Sequence, residues 1–164
     1  TWLPLLAGLA VADALVQVAG VPARRKWPND VLIEDRKVCG ILVERVGDAA
    51  VIGMGINTAL QADQLPVPTA TSLLLAGAET PNGEVAAAVL TALRGWYQRW
   101  ESGQDLSADY QRACATIGRE VRVETGPGVS RRGQAIGIDA VGRLLVRTDE
   151  GVEPFAAGDV FHLR

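Results

Sequence analysis

Three short stretches hold the residues whose types could do chemistry: Lys26-Trp27-Pro28-Asn29-Asp30, then Arg36-Lys37-Val38-Cys39-Gly40-Ile41-Leu42-Val43-Glu44, then Gly53-Met54-Gly55-Ile56-Asn57. Lysine neutralises charge that develops at a phosphorus centre, and asparagine presents a donor and an acceptor able to read both edges of an adenine. Glycines inside an apolar strand weaken it and tend to mark a place where something approaches the backbone. A pocket that gathers Asn29, Lys37 and Asn57 therefore suits a phosphate joined to a heterocycle. Neither G-x-x-x-x-G-K-[ST] nor G-x-G-x-x-G can be read there, so no glycine-rich loop cradles the phosphate. Taken singly, Pro28-Asn29-Asp30 reads as a turn and Lys37 as a solvated hairpin residue, whereas Gly53 and Gly55 are harder to explain without a ligand.

Composition narrows the function further. The 164 residues are 48% apolar and 21% charged, a balance and length that suit one globular domain or a domain with a small appendage. Sixteen basic residues against nineteen acidic ones leave a net charge of −3, so no broad cationic field exists to hold a polyanion, and a dedicated nucleic-acid binder is disfavoured. Cys39 and Cys114 are the only cysteines and lie far apart, unlike a disulfide scaffold or a zinc site; they suit a reducing cytoplasm. His162 is the only histidine, which nearly excludes histidine-based metal clusters and triads, and no metal-ligand set is expected. Residues 3–21 could mimic a membrane element, but Pro4, Asp13 and Gln17 interrupt them and no basic residue precedes them. They read as a buried helix stopped by Gly20. The chain opens without an initiating Met and reads as a fragment or processed product.

The elements that must position these residues follow from pattern. Residues 24–30 are expected to form a loop, bent by Pro28. Residues 31–33 and 38–46 are β-branched and apolar, joined by Glu34-Asp35-Arg36-Lys37 as a hairpin connection; residues 50–56 add a third strand of an antiparallel meander. Residues 58–83 are mostly loop, with one helical turn over 71–76. Val85, Val89, Leu93, Trp96 and Trp100 recur at spacings of three and four, which predicts a helix over 84–101. A shorter helix is expected over 106–117, with Ser107 as N-cap and Gly118 as its stop. From Arg119 onward come five short β-rich runs, at 121–124, 133–138, 144–147, 152–155 and 160–163. Arg131-Arg132 reads as a solvated turn, His162 as a barrel edge residue, Cys39 as a small core residue, and Trp27 as core or as the edge of a pocket. The fold class is α+β: a mixed or antiparallel sheet with packed helices over residues 1–117, then a small Src-homology-3-like β-barrel over 118–164.

KWPND at 26–30, RKVCGILVE at 36–44, GMGIN at 53–57, Ala70-Thr71-Ser72-Leu73 and the ending Ala157-Gly158-Asp159-Val160-Phe161-His162-Leu163-Arg164 together resemble a biotin protein ligase. Gly137-Ile138-Asp139 and Gly142 in the terminal barrel agree with it, and the resemblance covers almost the whole chain. It implies a two-step reaction in which ATP, with Mg2+, activates the biotin carboxylate to biotinyl-5′-adenylate and pyrophosphate. Biotin then passes to one lysine of a biotin carboxyl carrier protein domain, as in an acetyl- or acyl-CoA carboxylase or pyruvate carboxylase. By motif position Lys37 resembles the catalytic lysine, contacting the biotin carboxylate and the α-phosphate. Gly40, Leu42 and Gly53 would line the biotin pocket with it, and Lys26, Asn29 and Asn57 would hold the nucleotide.

The resemblance also sets limits. The family's Gly/Arg-rich loop over the adenylate and its Ser/Thr-Asn segment for the ureido ring precede the first helix and are not in this chain, so the 164 residues alone are expected to be inactive. Residues 1–117 would be the C-terminal portion of a catalytic domain. A cytoplasmic setting is implied, with no membrane and no nucleic-acid contact through this chain; a homodimer is possible and the oligomeric state stays open. Two other readings remain at this point. One is a truncated, non-catalytic relative acting as a binding module; the other is a lipoyl or octanoyl transferase of related architecture, against which the KWPND and GMGIN pair favours biotin.

Overall fold

The computed structural model describes residues 2–163, so Arg164, the last residue of the terminal motif, lies outside the described residues. Helix α1 (Trp2–Ala19) opens the chain, with Pro4 in its first turn, where no intrahelical bond needs the missing N–H. Gly20 ends it at φ +66°, a conformation open to glycine at no steric cost. By length and composition α1 could cross a membrane, but its residues from Trp2 to Leu15 are largely buried against this same chain, so it is a core helix.

Four strands pair in chain order as an antiparallel sheet: β1 (Ala23–Lys26), β2 (Asp30–Ile33), β3 (Arg36–Val46) and β4 (Ala49–Ile56). The expected meander is present with one strand more. β1 occupies the stretch read as loop, because its backbone is paired on both sides whatever its side chains prefer: with β2, and through Arg25 N–H to Ala113 O at 3.1 Å and Ala115 N–H to Arg25 O at 2.6 Å. The Arg25 side chain is buried and donates to Asp13 at 3.4 Å and to the Asp109 carbonyl at 3.2 Å; burial lowers its pKa from the usual value. The same pairing shortens the helix expected over 106–117 to α3 (Ser107–Gln111), since residues 113–115 run beside β1 instead. Its N-cap is Leu106 and not Ser107, whose N–H is taken by Asp105 Oδ1 at 2.9 Å. The β2–β3 connection is tighter than expected: Glu34 and Asp35 make the turn, and Arg36 and Lys37 already belong to the strand.

After a loop containing a short 3-10 turn (Ala62–Gln64) and a turn over 73–77, helix α2 (Asn82–Glu101) packs on α1 with Val85 and Val89 buried. Strands β5 (Glu120–Gly126), β6 (Val129–Ile138), β7 (Leu144–Thr148), β8 (Gly151–Phe155) and β9 (Asp159–His162) form a second antiparallel sheet in the order β8-β7-β6-β5-β9. Consecutive strands β8 and β9 thus lie at opposite edges, joined by Ala156, Ala157 and Gly158 alone. Flat, those edges would stand roughly 19 Å apart, more than the roughly 14 Å that such a link can span, so the sheet is rolled into the expected small barrel. Gly158 is needed at the seam: its φ is +144° and a Cβ there would fall 2.8 Å from the Glu124 carbonyl oxygen. Arg131 and Arg132 lie within β6 and not in a turn, because the strand begins earlier than expected; both are exposed.

The two sheets share hydrophobic cores along α1. Leu5, Leu6 and Leu9 pack with Trp27 and with Val121, Val123, Ile138 and Leu144 of the barrel, while Val11 and Leu15 pack with Val31, Val38, Ile41, Val85 and Val89. Trp27 is fully buried, which makes it core; its indole N–H reaches Gly142 O at 3.2 Å and its backbone N–H reaches Thr116 Oγ1 at 3.1 Å. His162, on the edge strand as expected, lies 3.2 Å from the same Thr116 hydroxyl.

Burial, reinforced by the positive charges of Lys26 and Arg119, presses the His162 pKa down to about 4 from its usual 6.5. The neutral ring therefore favours the fold above pH 6.5, and that contribution is lost as the pH falls through about 4. Between these values the thermal midpoint of the native chain should fall more steeply than that of His162→Gln, and above them the two should run parallel. Thermal denaturation across the range checks it; equal slopes would show that the ring does not titrate with unfolding.

Candidate active site

Directly opposed residues of an antiparallel pair share a face. The register Lys26–Asp30–Gly40–Gly55 runs across all four strands, and Leu42–Gly53 forms a second row across β3 and β4 on the same face. The opposite face carries Val31, Cys39, Ile41 and Ile56 toward α1. A register shift at Val31/Leu32 lets Lys37 join the outer face, where its side chain lies over Gly40: a Cβ on Gly40 would stand 3.0 Å from both Lys37 Cε and Nζ. Gly53 and Gly55 have no such neighbour, since a Cβ there would meet nothing closer than carbonyl oxygens at 3.7 and 3.8 Å. Their own fold does not require glycine, and the room above them is open.

The outer face holds a charge cluster that the sequence reading only partly picked out. The Asp30 carboxylate sits between two ammonium groups, Lys37 Nζ at 2.6 Å from Oδ1 and Lys26 Nζ at 4.0 Å from Oδ2. Asp30 was not among the residues expected to act, because Pro-Asn-Asp reads as a turn; the signal available was its place four residues after Lys26. The Lys37 side chain is 43% exposed beside this carboxylate, so another anion can reach the same ammonium. Among the described residues Asp30 is the only carboxylate paired with either lysine, and no group of three His, Cys, Asp or Glu gathers anywhere. Mg2+ commonly binds through one or two carboxylates and the phosphates of its nucleotide, and Asp30 is the one carboxylate this cluster could lend to such an ion.

The two asparagines are built into the backbone around this cluster. Asn29 Nδ2 donates to Ile41 O at 2.8 Å, and Asn57 Nδ2 donates to Thr71 O at 2.9 Å. Lys37 N–H donates to Thr69 O at 2.9 Å and Thr71 N–H to Lys37 O at 2.8 Å, so residues 69–71 clasp Lys37 and Asn57 together. The Ala70–Leu73 motif owes its place to this clasp. Neither asparagine Oδ1 accepts a hydrogen bond among the described residues, which leaves each an acceptor for a ligand while its amide nitrogen is committed. Beside Asn29 a cleft of about 210 Å³ runs between Leu42 and the barrel's Ala156 and Ala157. A concavity of about 810 Å³ lies between β3, β4 and α2, lined by Val43, Ile52, Leu90, Leu93, Tyr97 and Trp100 among others, and contains none of the cluster. Cys39 faces the core, where burial pushes its thiol up to about 12; it is no nucleophile.

Residues 3–57 match the Biotin/lipoate A/B protein ligase family and residues 116–163 the Biotin protein ligase C terminal domain. The chain is 40% identical to a biotin–[acetyl-CoA-carboxylase] ligase of Mycobacterium tuberculosis, over 99% of this chain and 63% of that protein. It is 33% identical to the corresponding ligase of Paracoccus denitrificans, over 97% of this chain and 72% of that one. The chain belongs to the biotin protein ligase family. Its fold matches the biotin protein ligase from Aquifex aeolicus in complex with biotin and ATP with a TM-score of 0.84 and 27% identity, covering 98% of this chain and 70% of that one. The α+β architecture with a terminal β domain is that of the family. The chain spans less than two thirds of the M. tuberculosis ligase it resembles.

Gly40→Ala tests whether the glycine seats the lysine. The variant should fold with a stability within about 1 kcal/mol of the original, since only the flexible end of Lys37 must move. The Lys37–Asp30 contact should be lost. A crystal structure checks it, and a lysine still against Asp30 would show that the glycine serves something else.

Proposed function

We propose that the intact ligase joins biotin to a lysine of a biotin carboxyl carrier protein domain by way of biotinyl-5′-adenylate. The observation that carries this reading is the row Lys26–Asp30–Gly40–Gly55 on an open sheet face, with Lys37 laid over Gly40. In the first step a biotin carboxylate oxygen attacks the α-phosphorus of ATP and pyrophosphate leaves. Negative charge grows on the α-phosphate oxygens, and a lysine already fixed beside the reacting carboxylate stabilises that state more than the separated substrates. Lys37 fits the role because its ammonium is half exposed on the open face, within reach of a substrate anion. In the second step the carrier's lysine amine attacks the acyl carbonyl, loses its proton, and expels AMP.

Gly40, Leu42 and Gly53 form the floor we assign to biotin; Leu42 is 62% exposed, an apolar side chain awaiting cover. Lys26, Asn29 and Asn57 are assigned to the nucleotide, with each asparagine Oδ1 available to an adenine amino group. The match of residues 116–163 to the biotin-specific C-terminal domain supports biotin over a lipoyl or octanoyl group. The intact lysine cluster supports an enzyme over a binding relic. We place the boundary between catalytic portion and terminal barrel after residue 117, and a cytoplasmic setting suits Cys39 and Cys114, which are free and buried.

Lys37→Ala, in the ligase extended to the length of its relatives, should slow biotin-dependent pyrophosphate release by about 10² to 10³ with the fold intact. A rate within about twofold of the unaltered enzyme would overturn the assignment. The 164 residues alone should unfold cooperatively yet fail to transfer labelled biotin to a carrier domain, because the outer face is open to water. Transfer at the rate of the extended ligase would show that this chain holds the complete site.

A further inference from the structure

Residues 116–119 form one short turn where the chain enters the barrel, fixed by Arg119 N–H to Thr116 O at 3.2 Å, Gly118 N–H to Ala135 O at 2.7 Å and Ala135 N–H to Arg119 O at 2.9 Å. Its two ends hold the two segments that carry the lysines. Thr116 Oγ1 accepts the backbone N–H of Trp27, the residue after Lys26, at 3.1 Å. Arg119 Nη2 reaches both carboxylate oxygens of Asp35, two residues before Lys37, at 2.8 and 2.9 Å.

Glu34 and Asp35 sit at φ +50° and +62°, the left-handed pair of a two-residue hairpin turn, which Asp tolerates better than Glu; an anchor on Asp35 therefore bears directly on the shape of this turn. The Arg119–Asp35 pair is partly exposed, at 35% and 57%, and ion pairs of that kind add little to overall stability. Its effect is local: it aims the first residues of β3. The Arg119 guanidinium also holds the Asp35 carboxyl below its usual pKa, in keeping with a made ion pair.

We infer that Thr116 and Arg119 are positioning residues through which the terminal barrel sets where Lys26 and Lys37 stand relative to each other. The catalytic consequence rests on the ligase reading above; the effect on lysine position does not. In the 164-residue chain, Arg119→Gln should leave the thermal midpoint nearly unchanged and raise hydrogen exchange at the Lys37 and Thr71 amides by on the order of tenfold. Asp35→Asn should do the same, and the double variant should do no more than either single one, because the two act through each other. Should Arg119→Gln fail to fold, Asp35→Asn carries the measurement. In the extended ligase Arg119→Gln should lower kcat for adenylate formation on the order of tenfold while KM for biotin stays within about twofold. Unchanged exchange in the single variants, or a loss confined to KM, overturns the inference. An unaltered extended ligase that forms no adenylate would overturn the ligase reading instead, with exchange still deciding the role of the turn.

Discussion

The geometry of the site is referred to one buried ring. In the polar run 26–30, Trp27 alone goes inward, and it continues the alternation of β1, in which Ala23 and Arg25 are buried while Arg24 and Lys26 face out. Truncating a buried tryptophan costs about 3–5 kcal/mol, far more than any neighbour in the run could gain by pointing inward instead. The ring therefore fixes the phase of the strand. Lys26 must emerge on the outer face, and the chain must return through Asp30 opposite it.

On that face the protein has set two ammonium groups around one carboxylate and left the surrounding floor bare. Two cations so close would repel each other; Asp30 holds them together without saturating either, since only one of its contacts is short. The two cations are thus already gathered on the open face before any further anion arrives. The bare floor follows the same logic. Gly53 and Gly55 are free of internal demands on their shape, and the space above them is open.

Most of this was legible in the sequence, and the exceptions have physical causes. Apolar periodicity marked α1 and α2, and β-branched runs marked β2 to β4 and the barrel strands, although β4 has no buried residue and α2 buries only Val85 and Val89 of its periodic set. β1 was hidden since Arg24, Arg25 and Lys26 carry no β signal; their backbone is recruited by β2 and by residues 113–115, partners that sequence spacing does not reveal. The early end of α3 is the other half of that pairing. At the candidate site, Lys37, Gly40 and Asn57 were singled out from residue type and motif, whereas Asp30 was not, because its place between two lysines eleven positions apart in the chain shows only once the strands are paired. The commitment of both asparagine nitrogens to carbonyls was likewise invisible before the strands were paired.

Sharing α1 between two cores has a bearing on how the protein is made. The first turns of α1 and Trp27 are covered by Val121, Val123, Ile138 and Leu144, which are synthesised more than a hundred residues after that helix begins. As the chain leaves the ribosome at about 5–20 residues per second, α1 emerges well before these barrel partners. Until the barrel strands arrive, the first turns of α1 lack these partners. An apolar surface that waits for strands made this much later is open to association while translation continues, and a stop before the barrel would leave that surface uncovered.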